Sequence, residues 1–385
     1  MAQTPAVQIR KVETPADFKP FFEFPWTLYK DDPNWVPPLL SMRHEMFDRK
    51  KGPAWEYLEG DYFTAWRGNR IVGTIAAYIN HRHNEFHNEQ VGWFGAFECF
   101  DDPVAATALL NTAIQWVKDM GYPIIRGPQT FTTHEDTGLL VEGFTPPVLL
   151  YPYNPQYYAT LIEGAGFAKS MDMFSFNYER DEVLANNLLE RLGRITQGVM
   201  RRNKVTIRPF DNKKRRDEFK LIKELYNAGW DRNWGFVPLT ERELDGLIDS
   251  LATFLDPRLV YFGYVDDQPA GFILGIPDFN QVLRKVYARP GVPEVFSLLK
   301  ALYYWKVRPI MTWSRVPLMG VKPDYRNKGV DAAMYFYLLR TMLTETQYVH
   351  NDSGWILEVN KNMMGIAQSF GGNAYKRFRL YERTT

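Results

Sequence analysis

Residues 322–331 read KPDYRNKGVD, placing Lys322, Arg326, Lys328 and one glycine, Gly329, between an apolar run and an apolar helix. Three cations and a glycine at such a junction are the residue types that hold a phosphate or diphosphate. The first N–H groups of a helix have no partner within it, and the helix dipole places about half a positive charge at that end. Glycine lets an anion approach the backbone. Arg326 and Lys328 add mobile charge around Asn327 and Val330. Asp331 is out of keeping with an anion site unless it turns away to cap a helix beginning at Ala332.

The flanking elements must hold this loop in place. RVPLMGV (315–321) is strand-like, with Pro317 predicting a bulge, and AAMYFYLLRTML puts Met334, Leu338 and Met342 on one helical face. The chain also repeats itself. VQIRKV (7–12) recurs as VTIRPF (205–210), NWVPPL as NWGFVPL, YFTAWRGNRIVG as YFGYVDDQPAG, and YNPQYYATLIEGAGF as VNKNMMGIAQSFGGN, in one order and at nearly constant offset. Each copy reads as an edge strand, helices, a hairpin, a buried strand, a long helix, a second buried strand, a short helix and a last strand. This predicts a domain over 1–180, a linking helix over 181–204, and a domain over 205–385 with a helical insertion near 281–312. The fold class is α/β (α+β), each domain a mixed, mostly antiparallel sheet flanked by helices.

The composition agrees. The 385 residues exceed one ordinary core, and 15% aromatic content suits large cores or cavities for apolar ligands. Lys and Arg number 46 against 45 Asp and Glu, so nothing points to nucleic acid. One cysteine, Cys99, excludes an internal disulfide and suits the cytoplasm. The start, MAQTPAVQIRK, lacks the apolar stretch of a signal peptide, and no run of 18 apolar residues occurs.

Arg326-Asn-Lys-Gly329-Val-Asp331 resembles the acyl-CoA pyrophosphate loop of the GNAT acyltransferase superfamily, Gln/Arg-x-x-Gly-x-Gly/Ala between the fourth strand and third helix. Asp331 departs from the small residue usual at the last position. In that superfamily the fourth and fifth strands splay and the pantetheine arm enters between them. Pro317 and Gly320 fit such a fourth strand, GWILEVN (354–360) the fifth, and the Asn360–Gly371 helix with KRFRLYE the closing segment. With DPNWVPP and YNPQYY, the whole chain resembles a family of bacterial tandem-GNAT proteins.

The resemblance implies acyl-CoA or acetyl-CoA as co-substrate, no metal, and transfer of an acyl group to an amine. It implies a cofactor site of Met319, Gly320, Val321, Arg326, Asn327, Lys328, Gly329, Val330, Asp331 and Asn360. A fourth-strand N–H near Met319 or Gly320 would polarise the thioester carbonyl, and Glu358 is the candidate base. Ala367 stands where a tyrosine acid is usual, leaving Tyr375 or Tyr381 to replace it. Trp230, Asp231, Asn233 and Trp234 lie where the superfamily lines its acceptor cleft. A helix–helix corner fixed by tryptophans is the plainer reading of that stretch. The first copy has DDPVAA in place of the loop; Asp102 there reads as a helix cap with Pro103 behind it, and the cofactor site as lost.

In the insertion, Phe296, Leu299, Tyr303 and Val307 form one stripe, with Lys300, Lys306 and Arg308 nearby. Such a helix roofs an acyl channel, lies on the inner membrane face, or packs against its own domain. The acceptor is accordingly a small-molecule or lipid-like amine, as for bacterial enzymes that N-acylate sphingoid bases. The rival class is a catalytically silent binding or scaffold protein that keeps the fold alone, for which Asp331 and Ala367 speak.

Overall fold

Both repeated hairpins turn on two residues. Gly68 leads one turn at φ +59, and Asp266 and Asp267 form the other at φ 46 and 62, the left-handed geometry that matches strand twist. The computed structural model describes residues 5–185, 187–229 and 234–385. In chain order the first elements are β1 (Val7–Lys11), α1 (Pro15–Leu28), α2 (Leu40–Phe47), β2 (Leu58–Arg67), β3 (Arg70–Asn80), α3 (His81–His87), β4 (Val91–Cys99) and α4 (Pro103–Asp119). Next come β5 (Ile124–Gly127), β6 (Leu139–Glu142), α5 (Tyr158–Gly164), β7 (Ala168–Glu179), α6 (Arg180–Ala185), α7 (Leu188–Asn203), β8 (Val205–Pro209), α8 (Arg215–Gly229) and α9 (Glu241–Phe254). The remainder is β9 (Val260–Val265), β10 (Gln268–Pro277), α10 (Asn280–Val286), α11 (Glu294–Leu302), β11 (Trp313–Val321), α12 (Val330–Glu345), β12 (His350–Leu357), α13 (Lys361–Ser369) and β13 (Asn373–Thr384).

These form two compact units, each discontinuous in sequence. Unit 1 holds residues 1–173, 283–307 and 376–385; unit 2 holds 174–282 and 308–375. The insertion around α11 therefore groups with unit 1, as do the last ten residues.

In unit 1, β1 to β4 pair antiparallel in order, β4 and β5 pair parallel, and residues 377–384 of β13 run antiparallel to β5 and β6. Helix α4 buries Ala105, Ala106, Leu109, Leu110, Ala113 and Val117 in this unit's core. Its start is as expected: Asp102 accepts from the Ala105 N–H at 3.1 Å, with Pro103 at the first helical position.

In unit 2, β8 to β11 pair antiparallel, β11 and β12 parallel, and β7 follows β12. Met334, Leu338 and Met342 of α12 are buried as predicted, but so are Tyr335, Phe336, Leu339 and Leu343. The helix is covered on two sides, by the sheet and by α7, whose Gly193 lies against the Phe336 ring.

Candidate functional site

The chemistry in unit 2 depends on how β11 is paired. One edge is fully used: Leu318, Met319, Gly320 and Val321 pair with Leu274, Ile273, Phe272 and Gly271 of β10, and a register shift falls at Pro317 as expected. The other edge meets β12 only at Trp313–His350, Ser314–Asn351 and Arg315–Asp352. Beyond Arg315 the two strands part. Gly354 lies against β11 just past that last rung: its φ is +71, and a Cβ there would lie 2.3 Å from the Val316 carbonyl, so only glycine fits. Among the described residues, the second edge of β11 from Val316 to Val321 has no strand partner. Such an edge is a template for an extended ligand carrying amides.

This edge leads to the cationic corner. Lys322 donates its N–H to Ala270, Pro323–Tyr325 make one tight turn, and Asn327 (φ 63) and Gly329 (φ 78) reverse the chain into α12. The helix starts at Val330, earlier than expected, because Gly329 takes the capping position without a side-chain cap. Among the described residues, no backbone acceptor takes the N–H groups of Asn327, Lys328, Gly329 or Val330. Asp331 sits in the first turn and its carboxylate accepts from the Ala332 N–H at 2.8 Å. The Arg326 guanidinium donates to the Gly229 carbonyl at the end of α8, 2.8 Å away, and the Lys328 ammonium lies 5.2 Å from the Tyr325 ring centre. Helix α7 backs the corner: Asn203 donates to the Lys328 carbonyl at 2.9 Å, and a Cβ at Gly329 would lie 2.5 Å from a Val199 methyl. Only glycine satisfies both that contact and the left-handed φ.

The other expected residues are placed as follows. Glu358 lies half-buried in the turn after β12, and Asn360 caps α13 by accepting from the Met363 N–H at 3.2 Å. Ala367 is buried in α13. The Tyr375 hydroxyl donates to Asp352 at 2.6 Å; that carboxylate also accepts from Ser175 at 2.5 Å and the Gly354 N–H at 2.8 Å, with Arg315 3.5 Å away. Tyr375 thus ends in a buried polar knot at the point where β11 and β12 part. Tyr381 belongs to unit 1, is buried, and donates to Glu163 at 2.9 Å; burial raises its pKa well above the usual phenol range. The structure does not bring it together with Glu358 and Tyr375 in one unit. Trp230, Asp231 and Asn233 lie outside the described residues; Trp234 is half-buried in the turn after α8.

Unit 1 handles the matching places differently. Its β4 and β5 also pair over only three rungs, but the edge beyond is filled. Tyr158 accepts from the Cys99 N–H at 2.7 Å and Tyr157 donates to the Cys99 carbonyl at 2.8 Å, so the tyrosines of YNPQYY occupy the bonds an added strand would make. At the corner, Arg67 grips Asp102 with two bonds of 2.6 and 2.9 Å, leaving a capped, neutralised helix start.

Unit 1 instead contains a group the sequence reading missed. Glu98, near the end of β4, accepts at one oxygen from Tyr29 and from Tyr158, each at 2.7 Å. Burial pushes its carboxyl up to about 7, against the downward pull of the two tyrosines and Arg43. Burial also raises Asp136 and takes His134 down to about 4, and it pushes the Cys99 thiol up to about 12, well away from a reactive thiolate. The available signal was a single acid inside the otherwise apolar VGWFGAFECF. Among the described residues, no three of His, Cys, Asp and Glu gather as metal ligands.

The whole chain is similar to known proteins. It is 34% identical over 371 residues to Protein YghO of Escherichia coli, covering 95% of this chain and 93% of that one. It is 33% identical over 383 residues to the bacterial ceramide synthase of Caulobacter vibrioides, covering 97% and 96%. Solved structures with the same fold include a tandem GNAT protein from the clavulanic acid biosynthesis pathway, at TM-score 0.53 and 11% identity over 98% of both chains. Another is a probable N-acyltransferase from Enterococcus faecalis, at TM-score 0.52 and 6% identity over 98% of this chain and 73% of that one. The chain matches no protein-family model. It belongs to the same family as these two relatives, and its fold is that of the tandem GNAT acyltransferases.

Proposed function

We propose that this acyltransferase moves an acyl group from a coenzyme A thioester to the amine of a long-chain, lipid-like acceptor. The observation that carries the reading is the unpartnered edge of β11 running into the Gly329 corner in unit 2. Pantetheine amides would pair along Val316–Val321, and the diphosphate would take the N–H groups of Asn327 to Val330, with Lys328 and Arg326 beside it. Unit 1 offers no such edge or corner, because Tyr157, Tyr158 and Asp102 fill them.

The reaction needs alignment more than covalent help. The amine nitrogen attacks the thioester carbon, the C–S bond breaks, the ammonium proton goes to a base, and the thiolate leaves. The Met319 N–H, on the edge of β11 turned away from β10, suits the carbonyl oxygen, whereas the Gly320 N–H faces β10, on the same side as that of Lys322. Glu358 is the proposed base and Tyr375 the proposed acid, its hydroxyl now donating to Asp352. The relative named bacterial ceramide synthase supports a lipid-like amine as the acceptor class.

A catalytically silent binding protein is the second reading, and specific observations favour it. Asp331 takes a first-turn N–H, Arg326 is engaged with Gly229, and Val199 crowds Gly329. Incubation with palmitoyl-CoA and a long-chain amino alcohol, followed by mass spectrometry, separates the two. The transferase yields an N-acyl product and one free thiol per turnover. Binding of acyl-CoA with no product, across acetyl to palmitoyl donors and several amines, would leave the silent reading standing.

A further inference from the structure

Helix α11 is turned inside out relative to an ordinary surface helix. Its buried residues are the small ones, Ser297 and Ala301. Val295, Phe296, Leu298, Leu299 and Leu302 are each about half exposed or more, up to 61% for Phe296. The following π-helical turn, Tyr303–Val307, continues the surface with Tyr303 at 45% and Val307 at 71%. Contiguous large apolar side chains on water carry a cost that a partner removes. The segment is firmly attached: Ser41 donates its N–H to Glu294 at 3.0 Å, Trp26 donates to the Ala288 carbonyl at 2.7 Å, and Lys300 donates to the Val286 carbonyl at 3.3 Å. The apolar face is thus held outward by design of the unit rather than by fraying.

The charge carried by the segment itself selects the partner. Between residues 283 and 307 there are five cations, Arg284, Lys285, Arg289, Lys300 and Lys306, all exposed, against one acid, Glu294, which is engaged with Ser41. Trp305 carries the Lys306 ammonium 3.8 Å over its ring, beside Tyr303 and Tyr304, an aromatic group of the kind that settles at lipid headgroups. A second copy would bring the same positive surface against itself in a two-fold contact. Alkyl side chains flanked by cations and aromatic rings match an anionic lipid surface.

We infer that α11 and the turn after it form a docking surface for the anionic face of a lipid bilayer, Phe296, Leu299 and Val307 entering the acyl boundary and Lys285, Lys300 and Lys306 meeting headgroups. The inference stands apart from the acyl-transfer reading, since it requires no coenzyme A and no turnover.

The test is flotation of the full chain, without acyl-CoA, on vesicles of phosphatidylcholine alone and of phosphatidylcholine with phosphatidylglycerol. The expected result is flotation with the anionic vesicles only, lost in Phe296→Ser/Leu299→Ser and weakened at least about tenfold by Lys285→Glu/Lys306→Glu. All four positions are exposed, so circular dichroism and melting should not change. Absence of flotation on anionic vesicles overturns the inference. So does flotation that Phe296→Ser/Leu299→Ser leaves intact, or a dimer that this variant dissociates while vesicles bind nothing. Turnover of a water-soluble short amine by Phe296→Ser/Leu299→Ser, measured in parallel, reports on acyl transfer separately.

Discussion

Replacing Glu98 by glutamine should change how stability depends on pH, and by an amount that the structure fixes. The carboxyl rises from 4.5 to about 7 on folding, chiefly through burial. At ~1.4 kcal/mol per pH unit that rise of about 2.5 is worth about 3 kcal/mol. The sign follows from which state holds the proton. Between pH 4.5 and 7 the folded protein keeps Glu98 protonated while the unfolded chain releases the proton. The contribution is therefore complete below pH 4.5 and is lost as pH rises through 7. Glutamine mimics the protonated acid, and its carbonyl still accepts from Tyr29 and Tyr158, which now bond one oxygen at 2.7 Å each. Urea unfolding of both proteins from pH 4.5 to 8.5, followed by tryptophan fluorescence, is the assay. Glu98→Gln should gain about 3 kcal/mol on the native protein across that range, most of it between pH 5 and 7.5. Parallel stability curves would refute the reasoning, because they would mean that Glu98 titrates as it does in the unfolded chain.

Other substitutions test individual contacts. Tyr158→Phe removes a donor to Glu98 and the acceptor of the Cys99 N–H, and should cost about 1–3 kcal/mol while raising the Glu98 pKa further. Denaturant melts together with the pH profile check both effects. Asp102→Ala loses the α4 cap and the Arg67 pair, and should lower stability by about 1 kcal/mol with acyl-CoA affinity unchanged by calorimetry. Leu338→Ala empties a fully buried position under α12 and should cost about 2–5 kcal/mol by urea titration.

The features legible in the sequence were those set by neighbouring residues. Gly329 ending a cationic loop, Pro317 at a register shift, Asp102 followed by Pro103, and the two-residue hairpin turns each follow from local chemistry, and each folds accordingly. The internal repeat foretold the same strand pairing in both units, antiparallel through four strands and then parallel, because the same patterns recur. The buried groups were not legible, because their partners are distant in sequence: Glu98 lies 69 residues from Tyr29 and 60 from Tyr158. Each tyrosine alone reads as an ordinary aromatic. Periodicity likewise located the stripe on α11 but could not say which side faces water. Ser297 and Ala301 inside, with Phe296 and Leu299 outside, reverse the usual rule. The last strand was misleading for a similar reason, since KRFRLYE reads as closing its own copy while residues 376–385 complete unit 1.

The central claim is that the β11 edge and the Gly329 corner hold acyl-coenzyme A, and calorimetric titration with palmitoyl-CoA and acetyl-CoA addresses it most directly. One saturable site is predicted, weakened at least about tenfold by Lys328→Glu, equivalent to ~1.4 kcal/mol, with the melting temperature unchanged. No binding of either thioester, or equal binding by wild type and Lys328→Glu, would contradict it.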